Sequence, residues 1–223
     1  MAHPLSPISW HLNRLPRATQ KALNFLRDQG WLQKSAWYLA GGTALTLQFG
    51  HRTSVDLDFF LPKKDFSTVR LLDNFKHEPW TTTLVKEGTI YGELGGAKIS
   101  FISYPFFVPA RPPHRYGNVR VLDARDIAVM KIVAISQRGR KRDFVDLYWY
   151  VMHQERLADI FWRLHKQYPT VKHNYFHILE SFTYFADADV DAMPKIFFKA
   201  SWEEIKKFFR REVKKVAEEL YLK

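Results

Sequence analysis

Short apolar runs alternate with polar and glycine-containing turns along the first half of the chain, a pattern typical of mixed helices and strands. Glu87-Gly88 and Gly95-Gly96 are dipeptides that close tight hairpins, so the runs around them are predicted to form an antiparallel meander. The predicted helices cover residues 17–29, 43–49 and 65–75, and the predicted strands cover residues 37–40, 55–61, 81–85, 89–94 and 98–104.

The second half of the chain is predicted to be mainly helical. Residues 105–118 are rich in proline and arginine, which predicts a loop and divides the chain into residues 1–110 and residues 111–223. Beyond the loop, a helix begins near Asp123 and is broken by the basic run at residues 138–142. Further helices are predicted over residues 143–153, 155–167 and 171–184.

The last helix carries the clearest local signals. Ser201-Trp-Glu-Glu204 is a capping box, in which the serine and the glutamate each accept from the other's backbone N–H. Apolar residues then recur every three or four positions, which predicts packing against the domain: Trp202, Ile205, Phe209, Val213, Val216 and Leu220. The pattern as a whole predicts an α/β or α+β domain with a small mixed sheet and a C-terminal helical half.

Composition excludes several classes of protein. There are no cysteines among the 223 residues, so disulfides, thiolate metal sites and cysteine nucleophiles are absent. Pro4, Pro7, His11 and Arg14 interrupt the apolar stretch that a signal peptide needs, and no segment reaches the roughly 18–20 apolar residues of a membrane span. We therefore expect a cytoplasmic protein with no membrane partner.

The charge of the chain is strongly basic. It has 34 Lys and Arg against 23 Asp and Glu, a formal net charge of +11, which favours a polyanionic partner. Between Arg111 and Arg142 there are nine basic residues and two acidic ones. A solubilising surface would also give such an excess, but this one adjoins residues 131–147, the second of two motif blocks described below, which favours nucleic acid.

The candidate chemistry centres on Asp56 and Asp58. Carboxylates two positions apart on a strand point to the same side, and a pair of hard oxygen ligands suits Mg²⁺. Gly41-Gly42-Thr43 precedes them at a predicted helix start, where backbone N–H groups can bind phosphate. The same glycines could form only a tight strand-to-helix turn. Together the two motifs predict a metal–nucleotide site.

The two motifs also resemble a known family. Gly41-Gly42-Thr43, the thirteen-residue spacing and Asp56-Leu57-Asp58 resemble nucleotidyltransferase toxins of the AbiEii/AbiGii type, including the MenT-like toxins. These belong to the DNA polymerase β-like nucleotidyltransferase superfamily. The resemblance extends through a second block, residues 131–147, and covers about residues 20–150. It implies a nucleotidyltransferase core in residues 1–110 and a helical region, residues 111–223, that completes the active-site cleft.

The resemblance implies roles for further residues. Asp56 and Asp58 would bind Mg²⁺, with Mn²⁺ as a substitute, and Gly41, Gly42 and Thr43 would hold the phosphates of an NTP. Lys131 would contact phosphate, although a lysine in such a helix usually reaches out to solvent. Asp143 and Asp146 share a helix face, and Asp146 is the stronger candidate for the site. They could instead favour a helix N-terminus or pair with nearby arginines.

A third carboxylate is usual in this superfamily, and Ser100 occupies the position where we expect it. Either two acids suffice, or another acid completes the site, or activity is weak. Arg52 and Ser54 lie just before the acids and are candidate nucleotide ligands, while Arg52 could also pair with Asp56 or Asp58. The basic run is either a solvated turn or a clamp for triphosphate or RNA: Arg138, Arg140, Lys141 and Arg142.

The resemblance implies transfer of a nucleoside monophosphate from an NTP to RNA, with the tRNA 3′ end as the expected acceptor. Such an enzyme would inhibit translation as part of a toxin–antitoxin or phage-defence system, so a cognate antitoxin is an expected partner. Two alternatives remain: transfer to a small molecule or a protein side chain, and an inactive nucleotide- or RNA-binding module.

Overall fold

The computed structural model describes residues 8–221, and Pro4 and Pro7 lie outside that range. Seven strands form one mixed sheet in the order β3-β4-β5-β2-β1-β7-β6. In chain order they are β1 (Tyr38–Ala40), β2 (Leu57–Leu61), β3 (Trp80–Lys86), β4 (Thr89–Leu94), β5 (Ala97–Ser103), β6 (His114–Tyr116) and β7 (Val119–Val121). β2 is parallel to β5 and β1 is parallel to β7, whereas the other neighbouring pairs are antiparallel.

Helices surround this sheet and form most of the second half of the chain. A short 3₁₀ turn, Leu12–Arg14, comes before the first of them. The helices are α1 (Arg17–Arg27), α2 (Gly30–Gln33), α3 (Gly41–Phe49), α4 (Thr68–Asp73), α5 (Ala124–Arg138), α6 (Lys141–His153), α7 (Leu157–Phe161), α8 (Leu164–Gln167), α9 (Tyr175–Ser181), α10 (Ala186–Asp189) and α11 (Trp202–Tyr221). Among the residues described, no helix is both long enough and apolar enough to cross a membrane.

The predicted meander is confirmed. β3 pairs with β4 and β4 pairs with β5, with Lys86 opposite Thr89 and Leu94 opposite Ala97. Each connection therefore contains two residues, and Gly88, Gly95 and Gly96 have φ of +63°, +56° and +83°. Glycine adopts these left-handed conformations without steric cost, which is why the glycine dipeptides located the turns correctly.

The predicted loop over residues 105–118 is wrong at its end. β6 lies inside it, and β7 lies in the region predicted to be helical. Strands of three residues are too short to display a period-two pattern, and Arg115 faces Arg120 across the hairpin. Because β7 pairs with β1, the sheet itself includes residues on both sides of position 110.

Several helix boundaries also differ from the prediction. α3 begins at Gly41 rather than at residue 43, and the predicted helix over 155–167 is divided into α7 and α8. α5 ends at the left-handed Gly139, and α6 begins at Lys141, so Lys141 and Arg142 form the first turn of a helix. The capping box is confirmed: Ser201 N donates to Glu204 at 2.6 Å, and Glu204 N donates to Ser201 Oγ at 3.2 Å.

The core is arranged so that one face of β2 remains available to a cleft. Leu57, Phe59 and Leu61 are buried on one face, where the rings of Phe59 and Phe101 stack 5.2 Å apart. Asp58 and Phe60 alternate with them and line the cleft. α5 forms the opposite wall of that cleft and is buried over most of its surface, so the central helix and the sheet fix the two walls.

Candidate active site

The two aspartates line one cleft of about 680 Å³, together with Gly41, Gly42 and Ser100. Asp58 lies in β2 as predicted, but Asp56 comes just before the strand. The prediction that both lie on the strand is therefore wrong for Asp56, although both side chains reach the same cleft. The cleft lies between the sheet and α5.

Asp58 is held between the two strands that flank β2. Its register partners are Ala40 in β1 and Ser100 in β5. Ser100 Oγ donates to Oδ1 of Asp58 at 2.6 Å. Burial raises the pKa of the Asp58 carboxyl, the Ser100 hydrogen bond opposes that rise, and the neighbouring charge of Asp56 adds to it. A cation placed between the two carboxylates would therefore stabilise their ionised forms.

Asp56 contacts a cation from another part of the chain. Nη1 of Arg142, in the first turn of α6, lies 3.1 Å from Oδ2 of Asp56. The backbone carbonyl of Asp56 accepts a hydrogen bond from the Thr43 hydroxyl, which also lies 2.9 Å from the Ser54 hydroxyl. Thr43 and Ser54 are buried, so in this structure both hydroxyls fix the loop that carries Asp56.

The two glycines are required by close contacts as well as by the turn. Gly41 has φ +71°, and a Cβ atom at this position would lie 3.0 Å from Oδ2 of Asp58. A Cβ atom at Gly42 would overlap the guanidinium of Arg52. The absence of side chains therefore leaves room for Asp58 and Arg52, and it exposes the start of α3 to the cleft.

Arg52 pairs with Asp146, and neither Asp56 nor Asp58 is its partner. Its Nε and Nη2 lie 2.5 Å and 2.9 Å from the two carboxylate oxygens of Asp146. His51 Nε2 lies 2.7 Å from Oδ1 of the same carboxylate, and Lys131 Nζ lies 2.6 Å from Oδ2. Burial opposes ionisation of Asp146, but Arg52 and Lys131 outweigh it and hold the pKa well below its ordinary value.

Lys131 also pairs with Asp143, which lies one helical turn before Asp146. Its Nζ lies 2.7 Å from Oδ1 of Asp143, and Arg138 Nε lies 3.0 Å from Oδ2. Asp143 and Asp146 have fully buried side chains, whereas the Arg138 side chain is 52 % exposed. The predicted site residues Arg52, Lys131 and Asp146 thus form one buried network, in which Arg52 and Lys131 line the cleft and Asp146 lies behind them.

The basic run is paired within the protein. Arg138 contacts Asp143 and Arg142 contacts Asp56, and both arginines line the cleft. Arg140 Nη2 lies 2.5 Å from Asp191. Lys141 is buried, and its Nζ donates to the backbone carbonyl of Asp191. The RNA-binding role of these four residues stays a prediction, and only Arg138 and Arg142 reach the cleft.

The chemistry of the acidic pair fits a divalent metal ion. Oδ2 of Asp58 and Oδ1 of Asp56 have no hydrogen-bond partner in the described part of the chain. Gly41 leaves open the space beside Oδ2 of Asp58 that a Cβ would fill. Mg²⁺ prefers hard oxygen ligands and is usually bound by one or two carboxylates together with substrate phosphates. Within residues 8–221 there is no group of three or more acidic or histidine side chains arranged for a metal.

Sequence reasoning missed some residues of the site. His51 could not be recognised from the sequence, because a single histidine after Gly50 is as typical of an ordinary loop as of a functional site. Tyr91 and Glu93 of β4 line the cleft beside Ser100 and Lys98 of β5. The period-two pattern of the predicted meander was the signal that could have placed them on the same face.

Comparisons with known proteins agree with this geometry. The family model described as "Nucleotidyl transferase AbiEii toxin, Type IV TA system" matches residues 31–86 and 96–221. The uncharacterized protein aq_aa25 of Aquifex aeolicus (strain VF5) is 36% identical over 189 residues, which cover 82% of this chain and 88% of that protein. The match spans both motif blocks.

A solved structure shares the fold. A structure from H. pylori assigned as a nucleotidyltransferase has a TM-score of 0.51 at 16% identity and covers 91% of this chain and 97% of its own. The nucleotidyltransferase toxin MenT4 from Mycobacterium tuberculosis H37Rv is more distantly similar, with a TM-score of 0.49 at 12% identity over 89% of this chain and 86% of its own.

These findings confirm the fold class and the family predicted from the two motif blocks. The type IV toxin–antitoxin family implies a cognate antitoxin, and its members generally use an NTP and a divalent metal ion. Because the family model matches well over half of the chain, the protein belongs to the AbiEii family of nucleotidyltransferase toxins and is a nucleotidyltransferase.

Proposed function

We propose that this enzyme transfers a nucleoside monophosphate from an NTP to an RNA acceptor, with Mg²⁺ held by Asp56 and Asp58. The observation that carries the proposal is a pair of free carboxylate oxygens, Oδ1 of Asp56 and Oδ2 of Asp58, in a cleft that Gly41, Arg138 and Arg142 also line. When bound, the metal ion would stabilise charge on the α-phosphate and on the leaving pyrophosphate.

The residues around the cleft have separate tasks in this proposal. The first backbone N–H groups of α3 lack intrahelical acceptors and are suited to bind phosphate oxygens. Arg138 and Arg142 would neutralise the triphosphate, because their side chains are 52 % and 46 % exposed at the cleft. The Lys131–Asp146–Arg52 network would keep the floor beneath Gly42 rigid. Lys131 lines the cleft, and its Nζ contacts both Asp143 and Asp146, so its charge would stabilise the triphosphate from within this network.

RNA is favoured as the acceptor by charge. The net charge of +11 attracts a polyanion. Five basic residues line the cleft beside three acidic ones, and the basic ones are Arg52, Lys98, Lys131, Arg138 and Arg142. We propose the tRNA 3′ end as the acceptor, because its terminal hydroxyl can attack the α-phosphate while pyrophosphate leaves. The bond that forms is a phosphodiester, and the bond that breaks joins the α-phosphate to the β-phosphate.

The test is incubation of the protein with total tRNA, Mg²⁺ and each α-labelled NTP in turn. Label in tRNA that is lost with Asp58→Ala and with EDTA would support the proposal. Label only in protein or in a small molecule would replace RNA with another acceptor. Labelled tRNA from Asp58→Ala at the wild-type rate would overturn the assignment of the metal site.

The biological consequence is translational inhibition, in a toxin–antitoxin or phage-defence setting. A tRNA extended at its 3′ end cannot be aminoacylated, so a cell-free translation reaction should stop after incubation with the wild-type enzyme and resume when fresh tRNA is added. Inhibition that fresh tRNA does not relieve would contradict a tRNA target.

A further inference from the structure

Ser100 lies at a rigid place in the sheet, directly beside Asp58. Its register partners are Asp58 in β2 on one side and Tyr91 in β4 on the other. Because β5 is paired along both edges, the backbone at Ser100 cannot move without breaking strand pairing. The residue is 3% exposed, so its hydroxyl has a restricted set of partners.

The hydroxyl of Ser100 fixes the orientation of the Asp58 carboxylate. An ionised carboxylate can only accept, so Ser100 Oγ donates to Oδ1, at 2.6 Å. This distance is typical of a charge-assisted O–H···O⁻ hydrogen bond. Oδ2 is on the side of Gly41, where a Cβ atom would come within 3.0 Å of it. One oxygen is thus held by β5, and the other faces the open space at the glycine turn.

We propose that Ser100 is a positioning residue for nucleotidyl transfer, which orients Asp58 so that Oδ2 faces the metal–nucleotide complex. This inference rests on the proposed function, since it takes Asp58 as a metal ligand. A hydroxyl at this place adds no third negative charge beside Asp56 and Asp58. A carboxylate there would be a further ligand, whereas the serine acts through the ligand already present.

The first measurement is metal affinity, with Mn²⁺ as the probe and electron paramagnetic resonance as the readout. Removing a hydrogen bond to a charged group changes an equilibrium by about 10- to 100-fold. Ser100→Ala is therefore expected to raise the Mn²⁺ dissociation constant by about tenfold or more. Ser100→Thr keeps the hydroxyl and suits a strand, so it is expected to restore most of the affinity.

The second measurement is the rate of nucleotidyl transfer at increasing Mg²⁺. Ser100→Ala is expected to need about tenfold more Mg²⁺ for half-maximal rate, and Ser100→Thr is expected to resemble the wild type. Ser103→Ala is the matched control, because Ser103 lies on the same strand but donates to the carbonyl of Lys63. Equal Mn²⁺ affinity and equal Mg²⁺ requirement for Ser100→Ala and the wild type would overturn the proposal.

Two further variants keep the outcomes distinct. If circular dichroism shows that Ser100→Ala does not fold, Ser100→Cys replaces it, since a thiol is nearly the same size and only a weak donor. An intermediate Mn²⁺ affinity is then expected, and a wild-type affinity would overturn the proposal. Asp58→Asn separates the two levels of inference: if it also binds Mn²⁺ like the wild type, the metal site itself is wrong. If Asp58→Asn loses Mn²⁺ and Ser100→Ala does not, only the role of Ser100 is wrong.

Discussion

Nη1 of Arg142 lies 3.1 Å from Oδ2 of Asp56, so the first turn of α6 reaches one of the two candidate metal ligands. The Arg142 side chain is 46% exposed, and such ion pairs contribute about 1 kcal/mol or less to stability. The contact keeps a cation beside the carboxylates, and the half-exposed guanidinium could exchange Asp56 for a bound triphosphate, as proposed above.

Arg142→Gln is expected to raise the KM for the NTP by about tenfold, because a charge-assisted hydrogen bond to phosphate is lost. The free energy of unfolding should change by less than about 1 kcal/mol. Steady-state kinetics with varied NTP, together with urea unfolding, measure the two quantities. The matched control is Arg156→Gln, whose arginine pairs with Asp159 and Glu219 outside the cleft. An unchanged KM in Arg142→Gln would contradict a role in NTP binding.

Gly42→Ala is expected to destabilise the protein by about 1–3 kcal/mol and to reduce activity, because the new Cβ overlaps Arg52. The guanidinium must then move away from Asp146, or the start of α3 must shift. Gly30→Ala is the control, since a Cβ at that helical position has no atom within 4 Å. Urea unfolding of both variants checks the difference, and equal stability for the two would show that Arg52 adjusts freely.

Asp146→Asn is expected to lower the free energy of unfolding by about 3–5 kcal/mol, because it leaves Arg52 and Lys131 buried without the negative charge that both of them contact. Asp159→Asn removes an exposed partner of Arg156 and should cost about 1 kcal/mol or less. The measurement is the free energy of unfolding in urea at pH 7. Similar losses for the two variants would mean that solvent screens the Asp146 network.

His51 predicts a pH dependence of stability. Burial lowers its pKa, and its contact with Asp146 offsets this only in part, so the folded protein keeps His51 neutral where an unfolded chain binds a proton. The ordinary pKa of histidine is about 6.5. Below that pH the unfolded state binds more protons than the folded state, so the free energy of unfolding decreases as the pH is lowered. One such group contributes at most about 1.4 kcal/mol per pH unit.

His51→Gln keeps an N–H donor for Asp146 and removes this titration. Its free energy of unfolding is therefore expected to depend less on pH between about 6.5 and 5 than that of the wild type. Urea unfolding at three pH values in this window provides the comparison, and the remaining histidines contribute equally to both proteins. Parallel pH profiles would assign the wild-type dependence to other groups.

The parts of the site that were predictable are close together in sequence. Gly41, Gly42, Asp56 and Asp58 fall within one strand–helix–strand unit, so strand alternation and turn chemistry were sufficient to group them. The second motif block located Lys131 and Asp146 but not their contacts. Their partners depend on how α5 and α6 pack beneath the sheet, and periodicity within each helix carries no information about that packing.

Arg52 shows most clearly which contacts could not be predicted from the sequence. Its position just before the acids made Asp56, Asp58 or a phosphate the expected partner, yet it pairs with Asp146, which lies 94 positions away. β6 and β7 were missed for a different reason. Each has three residues, and their stability comes from pairing with each other and, for β7, with β1, rather than from a local sequence preference.

When the ribosome synthesises the chain, Asp56 and Asp58 emerge well before the residues of β7 and α6 that complete their surroundings. A nascent chain that ends before residue 119 already contains Asp56, Asp58 and the glycine turn, but β1 has no β7 beside it and Arg52 has no Asp146. The cleft can be completed only after α6 has left the ribosome. Prematurely terminated chains that end before α6 therefore carry the acidic motif without the contacts that complete its site.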